Sequence, residues 1–174
     1  MAAGTGAARV AGAAATDAET RAGRDHHEAL RLWLRLFATT RLVEDSVRRR
    51  LQEQFATTLP RFDLMAQLER HPQGLKMSEL SRRMMVTGGN VTGITDLLER
   101  EGLVTRAADP GDRRAWRVRL TATGRRAFAA MAVAHERWIV ADFAALDARE
   151  RRALGALLLR LKERVRLLEE ASRE

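Results

Sequence analysis

The sequence predicts a mainly α-helical chain carrying one small β-hairpin. Three observations predict it. Apolar residues recur at three- and four-residue steps over most of the chain after residue 25. Residues 116–120 instead alternate apolar and basic side chains with a period of two. A turn sequence, Asp109-Pro110-Gly111-Asp112, separates that stretch from a short apolar run beginning at Leu103.

The elements follow in order. Residues 1–24 are rich in Ala, Gly and Thr with almost no large apolar side chains. Such a segment buries too little to offset its ordering entropy and is expected to be a disordered tail. From Asp25 to about Phe55, Leu30, Leu34, Phe37, Val47, Leu51 and Phe55 form a helical stripe, with a bend or a solvent-facing stretch where Arg41 and Glu44 interrupt it. Pro60 suits the first turn of a second helix, where its missing N–H is not needed. That helix carries Phe62, Leu64, Met65 and Leu68 and ends at His71-Pro72-Gln73-Gly74. A short amphipathic helix over residues 78–84 is expected, with Ser78 as its cap. Met85-Val86-Thr87 is the turn into a further helix running to about Glu101, capped by Thr87 and closed by Gly102. Strands are expected over residues 103–106 and 116–120, the latter with Trp116, Val118 and Leu120 on one face and Arg117 and Arg119 on the other. Thr121 caps a helix to about Phe143. Asp147 and Glu150 form a capping box that opens the last helix, whose stripe is Leu154, Leu157, Leu158, Leu161, Val165 and Leu168.

At 174 residues, the chain is long enough for one domain with a real core, or for a small recognition lobe plus a second lobe. Its 31 Lys and Arg against 23 Asp and Glu give a net charge of +8, which points to a polyanionic partner, or to a coding bias toward Arg. The absence of cysteine excludes a disulfide framework, a thiolate zinc site and a thiol redox sensor. No apolar run is long enough to span a bilayer, and residues 1–10 lack the order of a secretory signal, so a cytoplasmic location with no membrane partner is expected. His26, His27, His71 and His135 are too scattered for a metal site. No nucleotide-binding glycine loop, nucleophile elbow or paired metal-ligand motif occurs, so no enzyme activity, metal or cofactor is expected.

A short helix, a tight turn, a second helix and a basic hairpin in this order make a winged helix-turn-helix. The second helix would enter the major groove by its N-terminal end, which must offer small polar side chains to base edges. Val91, Ile94, Leu97 and Leu98 share the face expected to pack inward. Thr87, Gly88, Gly89, Asn90, Thr92, Gly93 and Asp96 are the candidate DNA-facing residues. Asn90 is suited to adenine and the Thr92 methyl to a thymine methyl. The glycines bring backbone N–H groups close to phosphate. In the wing, Arg113 and Arg114 suit a narrow minor groove, and Asp112 is placed to orient a neighbouring arginine. Lys76, Arg82 and Arg83 are candidate phosphate contacts that set register.

From about Leu59 to Gly124 the chain resembles the MarR family of bacterial regulators. The matching residues are Leu59-Pro60-x-Phe62-x-Leu64, Ser78-Glu79-Leu80-Ser81, Asn90-Val91-Thr92, Asp96-x-Leu98-Glu99-x-x-Gly102-Leu103-Val104 and Asp109-Pro110-x-Asp112-Arg113-Arg114, followed by Leu120-Thr121-x-x-Gly124. The resemblance implies a homodimer that represses from a palindromic double-stranded DNA operator. It divides the chain into an N-terminal dimerisation helix (25–57), a winged helix-turn-helix domain (58–120) and C-terminal dimerisation helices (121–174). Many members carry Arg where this chain has Gly93 and Gly111, which shifts the expected readout toward Asn90, Thr92, backbone groups and the wing arginines.

Family members commonly release DNA on binding a small aromatic ligand. Trp33, Phe37, Phe62 and Met65 are candidate lining residues, although an ordinary core is the more economical use of the same four. Residues 84–93 further resemble the recognition segment of MarR regulators of hydroxycinnamate catabolism, which implies an aromatic acid or aromatic acyl-CoA effector. Arg41, Arg48, Arg49 and Arg50 are candidate cations for CoA phosphates, or else a solvated or DNA-facing helix surface. Two other classes stand beside this reading: a helical interaction protein and a non-specific nucleoid binder, the latter told apart by its ratio of specific to random DNA affinity.

Overall fold

The computed structural model of the protein describes residues 28–84, 91–109 and 111–173, with only the strand path given at Asp112, Arg113 and Arg114. The expected tail (1–24) and the turn at residues 85–87 lie outside the described residues.

Helix α1 (Glu28–Phe55) continues past Arg41 and Glu44, burying Val47 and Leu51 further on. The polar interruption of its stripe is thus a surface stretch within one helix. Arg48 pairs there with Glu44 one turn back and with Asp45 at 3.3 Å. The helix closes at Ala56, which takes the left-handed conformation at φ 48° and donates its N–H to the Gln52 carbonyl at 3.1 Å.

Helix α2 (Leu59–Glu69) starts as expected with Pro60 in its first turn and buries Phe62, Leu64, Met65 and Leu68. The chain then turns through Gly74, at φ 82°, into a two-residue strand, β1 (Leu75–Lys76), which the sequence reading missed. Helix α3 (Met77–Arg83) follows directly. Ser78 lies inside this helix, and the cap position is Lys76, whose N–H donates to the Glu79 carboxylate at 2.7 Å. Glu79 does the work expected of Ser78, because a carboxylate one turn in reaches back to the same unsatisfied end.

Helix α4 (Val91–Arg100) ends in a Schellman motif. Gly102 sits at φ 70°, its N–H bonds the Glu99 carbonyl, and the Leu103 N–H bonds that of Leu98, both at 2.9 Å. The inward face differs from the expected one. Leu98 is fully buried and so is Thr95, whereas Leu97 is exposed. Thr95 can sit in the core because its hydroxyl donates to the Val91 carbonyl of its own helix at 2.6 Å.

Strands β2 (Val104–Asp109) and β3 (Asp112–Leu120) are longer than the periodicity implied, and they form a tight antiparallel hairpin. The sheet order is β1-β3-β2, with Leu75 opposite Val118 on one side of β3 and Arg106 opposite Val118 on the other. Leu64, Met65, Leu68, Leu80, Leu98, Val104 and Val118 make the core beneath this sheet. Phe62 meets Phe128 at a ring-centroid distance of 5.5 Å.

Helix α5 (Ala122–Asp142) is capped by Thr121, whose hydroxyl accepts from the Gly124 N–H at 2.9 Å. Helix α6 (Ala148–Ala171) opens with the anticipated capping box. Asp147 accepts from the N–H groups of Arg149 and Glu150, and Glu150 accepts from that of Asp147. The chain divides into two compact units, one ending at Val133 and the other beginning at Ala134. Within the second, α6 has no buried residue and its whole leucine stripe is exposed.

Candidate nucleic-acid interface

The site is built on α4 and the β2–β3 hairpin. Two side-chain networks, both centred on arginines, hold these parts in place.

The first joins α4 to β2. Arg106 pairs with Asp96 through Nη2, and its Nη1 lies 3.4 Å from a carboxylate oxygen of Glu99. Its backbone N–H donates to the other Glu99 oxygen at 3.1 Å, and Nη2 also reaches the Thr92 carbonyl at 3.5 Å. One planar guanidinium therefore spans three residues of the helix in a way that a lysine ammonium could not. The two carboxylates on α4 are thereby matched by a cation from the wing strand.

The second network anchors the base of the hairpin. Asp109, almost completely buried, takes the Nε and Nη2 of Arg117 on the same oxygen, at 3.0 and 2.7 Å. Its other oxygen accepts from the Gly111 N–H at 2.9 Å, an aspartate-capped turn, and lies 3.6 Å from Lys76 Nζ. Arg117 continues to the Gly74 carbonyl at 2.8 Å. Hairpin, β1 and the turn before it are thus tied through one carboxylate. The Arg117 hydrogen bond, the Gly111 N–H and the charge of Lys76 hold the Asp109 carboxyl below its ordinary value, against the opposing effect of desolvation.

The residues singled out from the sequence fall as follows. Thr92 is exposed, Gly93 is half-buried, and Asp96 is half-buried against Arg106. Thr87, Gly88, Gly89 and Asn90 lie outside the described residues, as do the side chains of Asp112, Arg113 and Arg114. Arg82 and Arg83 are exposed in the last turn of α3, and Lys76 sits at the wing base beside Asp109. The candidate ligand residues separate into three places. Phe62 and Met65 are in the core. Trp33 and Phe37 stack on each other at 5.6 Å on an exposed stretch of α1. Arg41 and Arg48, with Arg49, Gln52, Thr57, Thr58 and Pro60, line a cleft of about 970 Å³ between α1 and the start of α2.

Sequence reasoning missed Arg106, Asp109 and Arg117. A signal existed for Asp109, since an aspartate at the first position of a Pro-Gly turn commonly caps that turn through its side chain. Among the described residues no cluster of three or more His, Cys, Asp or Glu residues could hold a metal ion. No described helix is long and apolar enough to cross a membrane.

A short helix, a second helix docked on it and a hairpin fastened to that second helix define a winged helix-turn-helix protein. The MarR family model matches residues 57–116. A MarR family transcriptional regulator from Silicibacter pomeroyi is 30% identical, with a TM-score of 0.70 over 82% of this chain and 99% of that one. The PcaV transcriptional regulator from Streptomyces coelicolor, solved in complex with its natural ligand, is 25% identical with a TM-score of 0.60 over 82% of this chain and 97% of that one. The transcriptional activatory protein BadR of Rhodopseudomonas palustris is 29% identical over 106 residues, which are 60% of each chain. The chain thus spans 60% of the length of the curated relatives it matches. It belongs to the MarR family of winged-helix transcriptional regulators.

Proposed function

We propose that the protein is a homodimeric, sequence-specific DNA-binding regulator that represses from a palindromic operator and is released by a small aromatic ligand or its CoA thioester. The observation that carries this reading is the Arg106 link, which fastens the helix meant for the major groove to the hairpin meant for the minor groove. In this reading Asn90 and Thr92 read bases, and the backbone at Gly88 and Gly89 approaches phosphate. Arg113 and Arg114 enter the minor groove, and Lys76, Arg82 and Arg83 set register on the phosphates.

Dimerisation is supported by apolar surface that a lone chain leaves in water. Leu154, Leu157, Leu158, Leu161, Val165 and Leu168 on α6 are exposed, and so are Leu30, Trp33 and Phe37 on α1. A dimer lobe drawn from residues 25–57 and 121–174 would cover these stripes. The effector reading is supported by the cleft bearing Arg41 and Arg49, cations suited to a carboxylate or to CoA phosphates, with Arg48 beside them exchanging its pairing with Glu44 and Asp45 for the ligand. It is also supported by the likeness to PcaV, a regulator with a natural ligand.

The test is footprinting on the intergenic DNA beside the protein's own gene, with random duplex as competitor, followed by titration with aromatic acids and their CoA thioesters. Protection of a palindrome that one of these compounds abolishes is the expected result. Equal affinity for random DNA would replace this reading with a non-specific binder. The similarity to a relative named as an activatory protein favours activation as the second reading, and a reporter fused to the footprinted promoter gives the sign.

A further inference from the structure

We propose that Trp116 is a DNA-contacting residue, packing its indole on the sugar–phosphate strand that runs between the recognition helix and the wing. The inference rests on the DNA-binding reading above and adds to it a contact of a different chemical kind.

The placement comes from strand register. Along β3, Trp116, Val118 and Leu120 share one face, and Arg106 opposes Val118 on β2. Val118 and Leu120 are buried on that face, and Arg106 reaches from it to α4. Trp116 therefore stands on the helix-facing side of the hairpin, two cross-strand pairs further out than the Arg106 link and next to it on that face. There it is 55% exposed, and its cross-strand partner is only Ala108, which is itself exposed. A large aromatic ring is kept in water at the point where the hairpin leaves the core.

That point has a defined neighbour when DNA is bound. A helix in the major groove and a hairpin tip in the adjacent minor groove straddle one sugar–phosphate strand, which must cross the span between them. Trp116 occupies the hairpin's side of that span. The hairpin sequence favours a polyanion over an apolar protein partner, because the tip next to Trp116 brings Arg113 and Arg114 against the single Asp112, while Arg117 and Arg119 lie on the opposite face. Indole suits a half-wet backbone contact: its face packs on deoxyribose C–H groups, and its N–H can donate to a phosphate oxygen. Such a contact carries no sequence information and releases no counterion.

The experiment compares wild type, Trp116→Phe and Trp116→Ala on a fragment of the intergenic DNA beside the gene and on a random duplex of equal length, across a salt series. Trp116→Ala is expected to lose about 5- to 50-fold in affinity, the range of an aromatic anchor at an interface. The loss should be equal on both duplexes and leave the salt slope unchanged. Trp116→Phe should retain most of the affinity. Duplex should also change the tryptophan emission of wild type in a component missing from Trp116→Phe, with Trp33 and Trp138 as the constant background. Matching circular dichroism and Tm establish that the exposed substitution leaves the fold intact. Affinity of Trp116→Ala within twofold of wild type overturns the proposal, as does a change in oligomeric state in place of DNA affinity. A wild-type chain that binds neither duplex overturns the DNA-binding reading itself, which distinguishes the two failures.

Discussion

Arg117 holds Asp109 by two nitrogens on one oxygen, Nε at 3.0 Å and Nη2 at 2.7 Å, and the pair fixes the base of the wing. The arrangement has a pH signature. The folded-state pKa of Asp109 is lowered from its ordinary 3.8, first by the Arg117 hydrogen bond. A carboxyl lowered on folding contributes stability that is fully present above its unfolded pKa and is lost as pH falls through the folded value. Wild type should therefore exceed Asp109→Asn in Tm near neutral pH, and the gap should close as pH drops below 3.8. Glu79 is shifted in the same direction, chiefly by the Lys76 N–H, but it is common to both proteins and cancels in the difference. Thermal scans from pH 6 to pH 2 make the comparison, and a gap independent of pH would refute the assignment.

Arg106→Met should cut the link between α4 and β2. With both carboxylates more than a third exposed, the pairing is screened, and a loss of about 0.5–1.5 kcal/mol in unfolding free energy is expected from urea titration. The larger effect should be on DNA, because Asp96 and Glu99 would then face the phosphates without their cation. Arg106→Lys restores the charge without the fork, so it should recover part of the non-specific affinity and little of the stability.

The wing and the flanks should separate in a binding assay. Arg114→Ala is expected to weaken operator binding by about 1–3 kcal/mol at fixed salt, as loss of a specific groove contact does. Arg82→Ala should weaken operator and random DNA alike and lower the salt slope by about 1. Gel-shift titration at several salt concentrations reads both. Identical profiles for the two variants would remove the distinction drawn between them.

Three small residues give opposite signs of stability. A Cβ at Gly124 would collide with the Leu103 carbonyl, where the first turn of α5 meets the backbone leading into β2. Gly124→Ala should cost about 1–3 kcal/mol or more, since neither backbone can yield cheaply. Gly155 lies within α6 with open space around it, so Gly155→Ala should stabilise by up to about 1 kcal/mol. Ala56, at φ 48°, pays the left-handed cost of an L residue, and Ala56→Gly should relieve roughly 1 kcal/mol of it. Chemical denaturation of the three variants checks all three signs.

What the sequence disclosed and what it hid divide by range. Thr121, Gly102 and the Asp147–Glu150 pair were legible because a cap is decided within about four residues of the chain. The strip Trp116, Val118, Leu120 was legible from its period. Strand β1 was not, because two residues carry no period and gain their pairing only from β3, some forty residues later. Thr95 in the core and Leu97 in water reverse what polarity suggests, since the Thr95 hydroxyl is satisfied inside its own helix. The partners of Arg106 and Arg117 were hidden for a different reason. In so arginine-rich a chain, no local pattern tells a guanidinium that locks two elements from one that faces solvent.

The Gly74 carbonyl, at the far end of the Arg117 chain, bears on redesign of the wing. The hairpin is fastened at Asp109, Gly111, Arg117 and Gly74 by bonds that use no side chain of residues 112–114. Under the proposed DNA-binding reading, exchanging residues 112–114 for those of other regulators should transfer their wing-tip preference without refitting the core. Under that reading, the same partition lets the tip change one residue at a time while its mount stays fixed.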